Sequence, residues 1–74
     1  MAKAAILITT IPAKVDEVAS KIKKLKGVKE LLITTGRVDI VVLTEGGIKD
    51  LSSLAREIFK IEGVETTETL VEVE

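Results

Sequence analysis

Two short runs, thirty-six positions apart, constrain this chain more than anything else in it. Lys24-Leu-Lys-Gly27-Val28 and Lys60-Ile-Glu-Gly63-Val64 each close a stretch of helical periodicity and open a stretch of strand-forming residues. In both, glycine stands where a helix must stop in a left-handed residue, and a β-branched residue follows at once. A chain that makes the same helix-to-strand transition twice is built from two similar units. Each unit needs a strand in front of its helix.

Those strands are found where the repeat places them. Ala4 to Thr10 is apolar on both faces for most of its length and is ended by Pro12, which cannot donate to a ladder. From Ala13 to Leu25 the period changes: Val15, Val18, Ala19, Ile22 and Leu25 share one helical face. Lys14, Asp16, Glu17, Lys21, Lys23 and Lys24 take the other. The lysines gather toward the end that the helix dipole makes negative. Val28–Thr35 and Val38–Thr44 read as a β-hairpin that turns on Thr35-Gly36-Arg37, with Gly36 supplying a positive φ. Glu45-Gly46-Gly47 breaks the chain again. A second amphipathic helix follows from about Ile48 to Ile61, with Ile48, Leu51, Leu54, Ala55, Ile58 and Phe59 on its inner face. Val64 to Glu74 is the last strand.

The order β-α-β-β-α-β, with right-handed crossovers, predicts an α+β domain of the ferredoxin-like kind. It has a four-stranded antiparallel sheet with both helices on one face. Seventy-four residues make one domain. A chain of this size is marginal alone, and this one has no cysteine or histidine for a disulfide or a structural zinc. Oligomerisation is the remaining common support. The sheet points the same way, because Ala4-Ala-Ile-Leu-Ile8 and Ile40-Val-Val-Leu43 are apolar on both sides while helices cover only one. Two copies stacked sheet to sheet, a dimeric α-β barrel, answer that.

The inventory of side chains excludes several functions. Without His, Cys or Tyr, general bases and strong nucleophiles reduce to carboxylates and lysines, so no enzyme is expected. No cofactor or metal is expected either. A net charge of −1 and a single aromatic residue argue against a direct nucleic-acid interface. No apolar run reaches the ~20 residues of a membrane span. The apolar start reads as the first strand rather than a secretory leader, and the expected location is cytoplasmic. The lack of Asn and Gln beside abundant Lys, Glu, Ile and Val follows the trend of thermophile proteins.

The lysine run Lys21–Lys26 reads as a solvated helix face. Gly46-Gly47 reads as a loop, since it lacks the lysine and hydroxyl of a phosphate-binding spacing. Ser52 and Ser53 have no base to activate them. Asp39 is more pointed. It stands at the mouth of an apolar strand, where a carboxylate must find a partner or face water. Beside a turn that exposes backbone N–H groups, it suits the amine and carboxylate of a small zwitterion.

The pattern Thr35-Gly36-x-x-Asp39 entering a Val/Ile strand, followed by Gly63-Val64 and Thr67-x-Thr69, resembles the ligand-binding domain of the Lrp/AsnC transcription regulators. That module is also called the RAM domain, for regulation of amino acid metabolism. The resemblance covers essentially the whole chain. It implies dimers formed by sheet stacking, larger rings of octameric or similar size, and an amino-acid effector held between dimers. The ligand contacts it implies are Thr35, Gly36 and Asp39 at the turn, with Thr67 and Thr69 from a neighbouring subunit and Leu70 and Val71 as the wall beside the ligand side chain. Full-length family members carry a helix-turn-helix ahead of this domain. Here the chain starts at the first strand, so a stand-alone form is expected, able to co-assemble with full-length regulators. Where the family often has an aromatic residue before the aspartate, this chain has Val38. An ACT-type amino-acid-binding domain would share the topology, but Thr9-Thr10-Ile11-Pro12-Ala13 lacks the glycine-rich turn expected there. A purely structural oligomerisation domain is the other alternative.

Overall fold

The computed structural model describes residues 2–74. Its elements are β1 (Ala2–Thr10), a single 3-10 turn (Pro12–Lys14), α1 (Val15–Lys23), β2 (Val28–Ile33), β3 (Ile40–Gly46), α2 (Ile48–Phe59) and β4 (Val64–Val71). The sheet order is β2-β3-β1-β4 and every pairing is antiparallel. This is the ferredoxin-like arrangement expected from the repeat.

Burial along the two central strands follows the pleat. Ala4, Ile6, Ile8 and Thr10 of β1 and Ile40, Val42 and Thr44 of β3 turn toward the helices and are buried. Val18, Ala19 and Ile22 of α1 and Leu54 and Ile58 of α2 close over them in one core. Glycine ends both helices as the repeat requires, with φ of +100° at Gly27 and +104° at Gly63.

The edges of the elements depart from the sequence reading for identifiable reasons. Pro12 has no N–H to give, so the chain first makes a 3-10 turn, closed by Lys14 N–H on the Ile11 carbonyl at 2.8 Å. The α-helix then starts at Val15 rather than Ala13. The β2–β3 connection is longer than a tight turn and runs over residues 34–39. Thr34 hydrogen-bonds across its neck, through its N–H to the Asp39 carbonyl at 2.8 Å and through its hydroxyl to the Val38 carbonyl at 2.9 Å. Gly36 does take a positive φ there, +116°. β4 ends at Val71, opposite Ala4, and one further backbone bond, Glu72 N–H on the Lys3 carbonyl at 2.8 Å, ties down the residue after it.

One correction concerns α2. Ile48 and Phe59 do not belong to its inner face: they are 70% and 59% exposed. The buried stripe runs through Leu51, Leu54 and Ile58, and the other two lie to one side of it.

Candidate functional site

The residues marked out by the sequence fall on three surfaces of one chain. The first is the loop of residues 34–39. Asp39 is anchored there at both backbone and side chain. Its N–H donates to the Ile8 carbonyl at 2.9 Å, and its Oδ2 accepts from Thr10 N–H at 2.8 Å. The carboxylate thus satisfies the last amide of β1, which is the partner a charge at that position requires. Its Oδ1 has no hydrogen-bond partner among the described residues. Thr35 and Gly36 project as the exposed tip, and a Cβ at Gly36 would meet nothing within 4 Å. Only its positive φ calls for glycine.

The second surface is a groove between α2 and the edge strand β4, about 440 Å³ in volume. Thr67, Thr69 and Val71 alternate along β4 and line it from the sheet. Ile48, Arg56 and Phe59 line it from the helix. Leu70, one residue out of phase, turns to the opposite face of the sheet. Thr67 pairs with Ile8 from one side, while Asp39 reaches Ile8 from the other. They are therefore separated by β1, about 10 Å at ordinary strand spacing. The structure brings Thr67, Thr69 and Val71 together and leaves Thr35, Gly36 and Asp39 outside their groove.

The third surface is the sheet face that the helices leave bare. Ala5, Leu7, Val41 and Leu43 form its centre, and Leu32 and Leu70 its flanks, at 44% and 49% exposure. A shallow hollow of about 540 Å³ sits over Ala5, between Leu43 and Leu70 and rimmed by Lys3, Lys29 and Glu72. At the other end Thr9 and Thr66 share a hydroxyl–hydroxyl hydrogen bond of 2.5 Å, and Arg37 and Glu68 line the surface beside them.

The lysines of residues 21–26 are solvent-exposed, and Lys21 pairs with Glu17 at 3.5 Å. The start of α2 is occupied by the chain's own anion, since Asp50 Oδ2 accepts from Gly47 N–H at 3.3 Å. No group of acidic residues among those described is arranged to hold a metal ion, and no described helix is long and apolar enough to cross a membrane.

A βαββαβ sheet with one bare apolar face, an aspartate-anchored β2–β3 loop and alternating threonines on its edge strand defines a small α+β domain of ferredoxin-like type. The family profile of the Lrp/AsnC ligand binding domain matches residues 3–74, and the chain belongs to that family. The crystal structure of TTHA0845 from Thermus thermophilus superposes with a TM-score of 0.93 at 32% identity, over 100% of this chain and 95% of that one. Escherichia coli AsnC gives 0.89 at 25% identity, over 99% of this chain and 51% of that one. A feast or famine regulatory protein of M. tuberculosis, solved in complex with L-methionine, shares the fold with a TM-score of 0.83 at 18% identity; 100% of this chain covers 51% of it. No curated protein gives a significant match.

Proposed function

We propose that this chain is an amino-acid-binding regulatory domain whose output is a change in its own assembly. The bare sheet face carries the reading. Leu7, Val41, Leu43 and Leu70 are too apolar for a surface left in water, and a second copy of the same sheet is the simplest cover. Stacking two such sheets makes a dimeric α-β barrel with the helices outside, and Leu70 then belongs to the stack. The loop of residues 34–39 and the α2–β4 groove remain on the outside of that dimer, free to meet a neighbouring dimer in a ring.

The effector in this reading is an α-amino acid held between dimers. Thr35, Gly36 and Asp39 of one copy approach Thr67, Thr69 and Val71 of another. Asp39 Oδ1, unpartnered within the described chain, faces the ammonium group, and the threonine hydroxyls take part in binding the rest of the ligand. The separation of the two groups within one chain supports a site completed across chains. The methionine complex of the M. tuberculosis regulator supports it too, as an amino acid held by a protein of this fold. A ligand bound between dimers favours the ring by its differential affinity for the assembled state. The protein has no catalytic role in this reading, and co-assembly with full-length Lrp/AsnC regulators through the same surfaces would pass the signal to DNA.

A second reading is favoured by one observation. Asp39 is already engaged by Thr10 N–H, so its carboxylate has a structural role without any ligand. On that reading the domain assembles and binds nothing small. Light-scattering mass over a protein dilution series, with and without the twenty amino acids, separates the two. The effector reading expects a mass that shifts with one fraction of the mixture. Asp39→Asn keeps an acceptor for Thr10 N–H and removes the charge, so it should abolish that shift and leave the dimer intact. An assembly unmoved by every amino acid sinks the effector reading, and a stable monomer sinks both.

A further inference from the structure

Charge along this chain is sorted by sign. Residues 21–29 hold five lysines and no acid: Lys21, Lys23, Lys24, Lys26 and Lys29. Residues 61–74 hold five glutamates and no cation: Glu62, Glu65, Glu68, Glu72 and Glu74. All of these side chains belong to exposed residues. The first run passes from the end of α1 into β2, and the second is β4 with its flanking residues. β2 and β4 are the two edges of the sheet. One edge is therefore basic and the other acidic, in a chain whose net charge is only −1.

Neither run is accounted for by its own element. The helix dipole favours Lys21 and Lys23 in the last turn of α1, but its effect fades within that turn, and Lys26 and Lys29 lie beyond it. A sheet strand contributes almost no net dipole, so β4 gains nothing from its glutamates. Charges of the other sign do adjoin each run. Lys21 pairs with Glu17, and Lys26 shares a hollow with Glu45, Asp50 and Glu57, which leaves Lys23, Lys24 and Lys29 in excess over Glu30. Lys3 lies by Glu72, Arg37 by Glu68 and Lys60 by Glu62, which leaves Glu65 and Glu74 in excess. Three strand spacings, about 14 Å, separate the edges, beyond the screening length of about 10 Å in ordinary salt. The runs therefore do not neutralise each other within one copy. A surface charged only for solubility intersperses its signs.

We propose that the two edges are mates between copies: the lysine edge of one chain docks on the glutamate edge of another. The occupant is a second copy because both halves of the match are present on every chain. A polyanion would fit the lysine edge and leave the glutamate edge unexplained. The contact joins unlike surfaces, so repeating it closes a ring and reciprocating it closes a pair. Charge fixes which edges meet, since lysine against lysine and glutamate against glutamate repel. This goes beyond the effector reading and needs no ligand.

Light-scattering mass of the intact protein over a dilution series, without amino acids, tests it with two variants. Lys23→Glu/Lys24→Glu/Lys29→Glu makes both edges acidic, and Glu65→Lys/Glu68→Lys/Glu72→Lys makes both basic. Each alone should need roughly tenfold more protein, or beyond, to reach the wild-type mass. Mixed in equal amounts they should recover it, because each edge of one then fits an edge of the other. A chain carrying all six substitutions exchanges the two edges and should assemble like wild type, which also shows that the substitutions spare the fold. Either variant matching the wild-type mass on its own overturns the proposal. So does a mixture no heavier than its separate components. If the lysine variant keeps its mass but loses binding to duplex DNA that wild type shows, the lysine edge serves a polyanion and the proposal falls. All of these results leave the effector reading standing, since that is read with amino acids present. A wild type that stays monomeric overturns this inference and the assembly reading together.

Discussion

The two βαβ halves repeat each other in order and differ in what they leave uncovered. In the first, α1 hides its whole apolar stripe: Val18, Ala19 and Ile22 are buried, and Val15 and Leu25 pack against the same core. In the second, α2 buries Leu51, Leu54 and Ile58 but leaves Ile48 and Phe59 outside. The turns that follow differ too. A Cβ on Gly27 would approach nothing closer than Leu54 Cδ2 at 3.9 Å. On Gly63 it would meet Lys14 Cβ and Val18 Cγ2 at 3.0 Å. The start of the first helix thus clamps the end of the second, a contact reinforced by Ile11 N–H on the Gly63 carbonyl at 2.8 Å. Where the halves agree, the residues build the fold. Where they differ, the second half is held more tightly at its turn while its helix keeps a free apolar flank.

The sharpest way to break this comparison is to exchange one side of α2 for the other. Ile58 is wholly buried in the shared core. Ile58→Ala should destabilise the protein by about 3 kcal/mol, from the lost burial and the cavity left behind. Urea unfolding at one fixed protein concentration measures it, since assembly otherwise moves the midpoint. A loss well under about 1 kcal/mol would mean that α2 is not docked as described.

The paired glycines test the turns. Gly63→Ala combines a positive φ with a Cβ pressed on Lys14 and Val18, and should cost about 2–3 kcal/mol. Gly27→Ala has the same φ penalty with room for the methyl, and should cost about 1 kcal/mol. Equal losses in the two variants would remove the asymmetry between the halves.

Most of the fold was legible because it rests on period and punctuation. The Lys-x-x-Gly-Val repeat placed both helix ends, and the two-sided apolar runs of β1 and β3 announced the bare sheet face. Asp39 was legible as a residue out of place, though not as the acceptor for Thr10 N–H. That bond joins positions 29 residues apart and depends on the loop reaching back over β1. The offset of Ile48 and Phe59 was not legible either. Helical periodicity assigns an apolar residue to an arc, and both stand close enough to Leu51 and Ala55 on that arc to pass for core. The sheet edge decides the matter, because β4 has no neighbour beyond it and nothing among the described residues covers that flank of α2.

The smallest expected effect on stability is therefore the most telling about that flank. Phe59 follows Ile58 directly and is the larger side chain, so a reading that made it core would predict the greater loss for Phe59→Ala. The structure predicts the reverse. With 59% of its surface in water, Phe59 gives up little burial when truncated, and the unfolding free energy should change by less than about 0.5 kcal/mol. Binding should show what stability does not. On the effector reading, the amino acid that shifts the assembly should bind Phe59→Ala several-fold more weakly, because a wall of the α2–β4 groove is lost. A stability loss rivalling that of Ile58→Ala would place Phe59 in an interface already formed between copies. An unchanged affinity would separate the exposed apolar flank from the ligand.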